Sequence, residues 1–136
     1  MSNLINLLDT YKGEKRELYP LTPSQMGVYL SCMHNPKGTM YNIPCTYVFD
    51  SGSLDTDRLI NAVRKAVDNH PVMKIFIDNS TGSPMMKPRD SVEFDIPVVQ
   101  VDNLEQAGKD FVKPFELKKD VLFRFAIFEC GDKSMF

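Results

Sequence analysis

Histidine and cysteine, the residue types that most readily shuttle a proton or attack a carbon near neutral pH, are few in this sequence. They are two histidines, His34 and His70, and three cysteines, Cys32, Cys45 and Cys130. A nucleophile needs a base beside it, and none of the thiols sits in a local pattern that marks it for that role. The cysteines read instead as small buried apolar residues, and their odd number without CxxC spacing argues against both a disulfide framework and a zinc cluster. His34 lies in the turn cluster His34-Asn35-Pro36-Lys37-Gly38-Thr39, with no further ligand at metal-binding spacing. The glycines are scattered over turns and connectors, apart from Gly27 and Gly108 inside helices. No phosphate-cradling loop results, and nucleotide binding is unsupported.

His70 is the chemical residue with a defined setting. It stands at the junction of the most regular stretch in the chain, Leu54 to Ile77. There Asp55 can cap a helix, Asp57 sits where the helix dipole favours an anion, and Leu59, Ile60, Val63, Ala66 and Val67 recur at helical spacing. Pro71 disfavours helical geometry at His70, so the helix ends there and Val72 to Ile77 follows as a strand. In that position a histidine hydrogen-bonds the last carbonyls of its helix, or supports the wall of a site.

The flanking elements follow from turn chemistry. Residues 1–10 have the spacing of a short amphipathic helix and residues 11–17 form a charged connector, so the domain proper starts near Leu18. Thr22 is placed as an N-cap with Pro23 at the first helical position, and Gln25 to Met33 is helix. Tyr41 to Phe49 reads as a strand that tolerates Pro44 best at a sheet edge. The turn residues Asp78 to Ser83 join Val72–Ile77 to a weaker arm, Pro84–Pro88, in a hairpin. Ile96 to Val101 reads as a strand and Leu104 to Val112 as a helix stopped by Pro114. Val121 to Cys130 is a strand running into the tight turn Gly131-Asp132-Lys133, whose antiparallel partner is missing from the chain. An unpaired strand there leaves open backbone groups and is expected to promote self-association.

At 136 residues, 43% hydrophobic and 25% charged, the chain has an ordinary globular composition and fits one domain or a piece of a larger one. A formal charge of −2 with mixed signs lacks the concentrated basic surface that nucleic acids or anionic membranes require. Neither a signal peptide nor a transmembrane stretch is present, and the expected location is cytoplasmic. The methionines read as flexible core filler.

Three segments resemble motifs of one family, the condensation domains of non-ribosomal peptide synthetases. Tyr19 to Tyr29 resembles the first core motif, Ser-x-Ala-Gln-x-x-x-Trp: Gln25 matches, Thr22 and Ser24 are near matches, and Tyr29 stands where Trp is usual. Asn69 to Ile77 resembles the second, Arg-His-x-x-Leu-Arg-Thr-x-Phe, with His70 matched, Lys74 in place of Arg, and Asn69, Met73, Ile75 and Ile77 departing. Pro114-Phe115-Glu116-Leu117 with Leu122-Phe123-Arg124-Phe125 is similar to the family's Phe-x-Leu and Pro-Leu-Phe-Arg run, Val121 replacing proline.

The resemblance implies an α+β fold, part of the N-terminal lobe of a chloramphenicol-acetyltransferase-like architecture, with a partial mixed sheet flanked by helices. Residues 1–17 would be a leading segment and 18–136 an N-terminal subdomain, truncated before the family's His-His-x-x-x-Asp-Gly motif. The parent domain would be a peptide-bond-forming acyltransferase of secondary metabolite biosynthesis. Its substrates would arrive on the phosphopantetheine arms of carrier proteins, and no cofactor or metal would be bound directly. Because the motif's second histidine is the family's catalytic residue, this chain alone would be inactive. Thr22, Ser24, Gln25, Tyr29, His70, Lys74 and Arg124 would then be structural support, with His70 a brace behind the active-site loop. The implied partners are carrier domains and the remainder of the condensation domain. With the domain starting near Met1, the donor would come from a separate chain or as a loaded acyl starter. Two other readings stand beside this one: a small non-catalytic domain that binds through a sheet edge, and a carrier-independent acyltransferase of the same fold.

Overall fold

The computed structural model describes residues 18–50 and 52–136, so the expected helix at 1–10 and the connector at 11–17 lie outside the described residues. The described elements are strands β1 (Tyr19–Pro20), β2 (Val48–Asp50), β3 (Ile75–Asp78), β4 (Met85–Pro88), β5 (Val98–Gln100), β6 (Ile127–Cys130) and β7 (Lys133–Met135), with helices α1 (Pro23–His34), α2 (Thr56–Asn69) and α3 (Leu104–Phe111). A 3-10 turn, Pro71–Lys74, joins α2 to β3.

Each helix starts where a short polar side chain can take up free N–H groups. Thr22 Oγ1 accepts from Gln25 N–H at 3.3 Å while Gln25 Oε1 accepts from Thr22 N–H at 2.9 Å, a reciprocal capping box with Pro23 inside it. Asp55 accepts from Arg58 N–H at 2.9 Å at the head of α2. Asn103 does the same for Gln106 at 2.9 Å at the head of α3. The cap positions expected for Thr22 and Asp55 are the observed ones. His34 closes α1 as its last residue and is exposed.

The strands form two sheets. One has the order β1-β4-β3, built on the β3–β4 hairpin, where Gly82 turns the chain at φ +85. The other has the order β2-β7-β6-β5; β5 and β6 run parallel through the α3 crossover, and the remaining pairs are antiparallel, so the sheet is mixed as expected. Several strands are shorter than their sequence pattern. Regular pairing in 41–49 starts only at Val48, because no strand among the described residues lies beside the segment around Pro44. Val72 to Lys74 is not strand: Pro71 opens a 3-10 turn in which Met73 N–H bonds the His70 carbonyl at 2.9 Å. Pairing in 121–130 starts at Ile127, since the preceding residues turn their side chains to a phenylalanine cluster and to the 113–115 loop.

Two expectations at the end of the chain are corrected. The turn at Gly131 does have its antiparallel partner: β7 pairs with β6 in the register Phe128↔Met135 and Cys130↔Lys133. Gly131, at φ +57, begins the two-residue loop between them. With β5 on one side and β7 on the other, β6 is an interior strand, so the stretch ending at Cys130 is not an open edge for self-association.

The buried core is narrow: Tyr29, Val67, Ile77, Ile96, Ala126, Ile127 and Met135, with Val67 and Ile127 fully enclosed. Phe111 of α3 meets Phe128 of β6 edge-to-face at 5.8 Å, and Phe125 stacks on Phe136 at 5.8 Å. Gly108 brings α3 down on β7, since a Cβ there would sit 3.4 Å from Met135 Cε. The cysteines are not buried as expected. Cys32 and Cys130 are half-buried, and Cys45 is exposed because nothing among the described residues packs over its segment. Met135 behaves as core filler, whereas Met40 is 75% exposed.

Candidate functional site

The residues singled out from the sequence fall into three structural groups. Thr22 and Gln25 close the N-terminus of α1, and Gln25 Nε2 also reaches Met86 Sδ on β4 at 3.7 Å. One turn on, Tyr29 is buried and its hydroxyl accepts from Asn79 Nδ2 at 2.9 Å at the end of β3. This group fastens α1 to the β3–β4 hairpin. Ser24 is exposed in the first turn and makes no side-chain hydrogen bond among the described residues.

The second group sits at the end of α2. His70 Nδ1 lies 2.6 Å from the Ala66 carbonyl; that oxygen can only accept, so Nδ1 carries a proton and donates, and the residue is exposed. His70 is the C-cap, its own N–H bonding the Val67 carbonyl at 3.2 Å. Four residues on, Lys74 Nζ donates to the carbonyls of Asp68 and Asp90, both at 3.0 Å, and so ties the end of α2 to the chain leaving β4. Asn69, where the resembled motif has arginine, is the last residue of α2 and is exposed.

Arg124 forms the third group. Its two terminal nitrogens donate to the carbonyls of Lys113 at 2.7 Å and Pro114 at 2.8 Å, and its guanidinium lies 3.9 Å from the Phe115 ring centroid. Asp120 stands 3.6 Å away and accepts from Glu116 N–H at 2.8 Å, so one cation and one anion hold the 113–120 loop. Asn42 Nδ2 also donates to the Lys113 carbonyl, at 2.8 Å.

An open cavity of about 690 Å³ lies beside this loop, walled by Val28 and Cys32 of α1, by Phe111, by Phe128 and by the segment Met40–Tyr47. Among the described residues that line it, Arg124 is the one that carries charge, and both its terminal nitrogens are engaged with carbonyls. Of the seven residues singled out, Arg124 alone reaches the cavity. No hydrogen bond or ion pair joins the three groups among the described residues. The cavity itself was missed from the sequence; the available signal was the run Gly38 to Phe49, twelve residues without a charge.

These contacts hold neighbouring elements together. His70 has no carboxylate or nucleophile hydrogen-bonded to it, and no group of three potential ligands could hold a metal ion among the described residues. Nor, among those residues, is any helix long and apolar enough to cross a membrane. The Asp78 carboxyl is held below the usual aspartate range, through the Ser80 hydroxyl first and then the Ser80 N–H at 2.6 Å, with Lys87 adding to both. It serves the β3–β4 turn.

Comparison with known proteins places these features. The family profile described as "Condensation domain" matches residues 15–136. Bacitracin synthase 3 of Bacillus licheniformis is 31% identical over 125 residues, which are 90% of this chain and 2% of that protein. Bacitracin synthase 2 of the same organism is 30% identical over 118 residues, 85% of this chain and 4% of that protein. Among solved structures, the starter condensation domain of rhizomide synthetase superposes with a TM-score of 0.75 at 19% identity, covering 88% of this chain and 31% of that one. A four-domain nonribosomal peptide synthetase bound to AMP and glycine gives 0.73 at 15% identity, covering 93% and 11%. These structural likenesses show the fold, and the chain spans a small part of each relative.

Proposed function

The chain belongs to the condensation-domain family, and from that premise we propose that it is the N-terminal part of a domain that joins two carrier-bound substrates by an amide bond. In that reaction the acceptor amine attacks the donor thioester carbonyl; the C–N bond forms, the C–S bond breaks, and the donor's phosphopantetheine thiol leaves. The amine must lose a proton on the way, which calls for a base or a positioning histidine. In the proposal that histidine belongs to a His-His-x-x-x-Asp-Gly motif outside residues 1–136, and this chain supplies the supports. The observation that carries the reading is the family match over residues 15–136.

The geometry supports a positioning role for these residues. Thr22, Gln25 and Tyr29 fix α1 on the hairpin; His70 and Lys74 finish α2 and tie it to the Asp90 region; Arg124 sets the loop that borders the cavity. All are positioning residues, and Ser24 has no such contact. The test is an assay of the whole domain with carrier-bound and free thioester donors. Product from carrier-bound donor and acceptor supports the proposal. Efficient turnover of free thioesters with no dependence on the carrier would assign a carrier-independent acyltransferase instead, and a folded domain inert to both would point to a binding module.

A further inference from the structure

Helix α1 is seated by a single buried side chain, Tyr29. Its other apolar residues are spread round the helix instead of forming one stripe: Val28 is 39% exposed, Leu30 59% and Met33 41%. Burial of apolar area carries no direction, so it does not select one rotation of such a helix on the β3–β4 hairpin. Hydrogen bonds do, because they require a set distance and angle. Among the described residues α1 makes two side-chain bonds to the hairpin, from residues four apart on one face. Gln25 Nε2 reaches Met86 Sδ at 3.7 Å, a long contact to a weak acceptor, whereas the Tyr29 hydroxyl accepts from Asn79 Nδ2 at 2.9 Å. The stronger of the two falls on the residue that is buried.

The turn closes in a way that frees Asn79 for this contact. Asp78 takes the Ser80 N–H at 2.6 Å and the Asn79 backbone carbonyl takes the Gly82 N–H at 3.0 Å, so the Asn79 side chain is not needed in the turn. That side chain reaches across to α1, with its Oδ1 enclosed and without a hydrogen-bond partner among the described residues. An enclosed, unpaired amide oxygen is destabilising, and an apolar side chain would avoid it. What a polar side chain supplies here is the bond to Tyr29.

We propose that Asn79 is a positioning residue: acting through the Tyr29 hydroxyl, it selects the rotation of α1 and so decides that Val28, Ser31 and Cys32 wall the cavity. The proposal concerns the packing of this chain and holds whether or not the domain joins carrier-bound substrates.

The experiment reads the accessibility of Cys32, three residues beyond Tyr29, as its rate of alkylation by N-ethylmaleimide in the 136-residue chain carrying Cys45→Ser and Cys130→Ser. Tyr29→Phe and Asn79→Leu each raise that rate by about tenfold, as the loss of one net hydrogen bond predicts. The double variant raises it no further, because both changes remove the same bond. Val67→Ala, which lowers stability from inside α2, leaves the rate unchanged. Unchanged alkylation in Tyr29→Phe or Asn79→Leu overturns the proposal, as do effects that multiply in the double variant. Acceleration by Val67→Ala equal to that of Asn79→Leu also overturns it, by showing that Cys32 reports general loosening of the fold.

Discussion

Replacing Arg124 probes how the loop beside the cavity is held. The guanidinium bonds two carbonyls, at 2.7 and 2.8 Å, and stacks on Phe115 at 3.9 Å. At a partly exposed site a hydrogen bond to a charged donor contributes about 1.5 kcal/mol, the low end of its range, and an exposed cation–π contact about 0.5–1 kcal/mol. Simple addition gives roughly 4 kcal/mol as a ceiling. The Arg124 side chain is 32% exposed, so water can reach the freed carbonyls, and the Lys113 carbonyl keeps its bond from Asn42. About half the ceiling should survive, so Arg124→Ala is expected to cost roughly 2 kcal/mol. The Asp120 pair at 3.6 Å adds little, because exposed ion pairs contribute about 0–1 kcal/mol. Arg124→Lys keeps the charge but loses the fork that spans two carbonyls, and should cost about 1 kcal/mol. Urea unfolding followed by circular dichroism, with equal m-values required, measures both. Lysine as stable as arginine, or alanine within about 0.5 kcal/mol of wild type, would refute the claim that the forked geometry holds the loop.

Thr22→Ala should lower stability by about 1 kcal/mol, and Gln25→Ala by about half that; the double mutant should fall short of their sum, because the two side chains complete one capping box. Additive losses in urea melts would contradict that coupling. Val67→Ala, at a fully enclosed position, should cost about 2 kcal/mol, whereas Val72→Ala, with the valine 72% exposed, should stay within about 0.5 kcal/mol. Equal effects would mean that α2 does not seat its face as described. Asp78 has its pKa lowered on folding, so its contribution to the turn is present above the unfolded aspartate range and is lost as pH falls through the folded value. A carbon-detected NMR titration should place its midpoint below that of a free aspartate, and Ser80→Ala should move it back up; no movement would remove the hydroxyl as the main cause.

What the sequence disclosed was mostly local. The α2 helix, its Asp55 cap and its end at His70 depend on residues within a few positions of one another, and they appear where the pattern placed them. The β3–β4 hairpin was equally legible, because Gly82 and its neighbours define the turn whatever the arms contain. Strand lengths were not, since pairing depends on a distant neighbour. Val121 to Ala126 alternates like a strand, yet its side chains go to the phenylalanine cluster and the 113–115 loop. The partner of β6 was overlooked because β7 is only three residues long. Gln25 could have been recognised as more than a motif match: a Thr three residues before a Gln at a helix start is itself a capping-box signal. The cavity was illegible for a different reason, being assembled from Val28, Phe111 and Phe128, which are far apart in sequence.

The central claim is that this chain supplies supports and that the reacting histidine lies in another part of the domain. Single-turnover condensation with donor and acceptor loaded on their carrier proteins tests it most directly, run with this 136-residue chain and with the whole domain. Amide product from the whole domain and none from the chain alone is the predicted result. Amide product from the isolated chain, lost on substitution of His70, would contradict it and make His70 a catalytic residue.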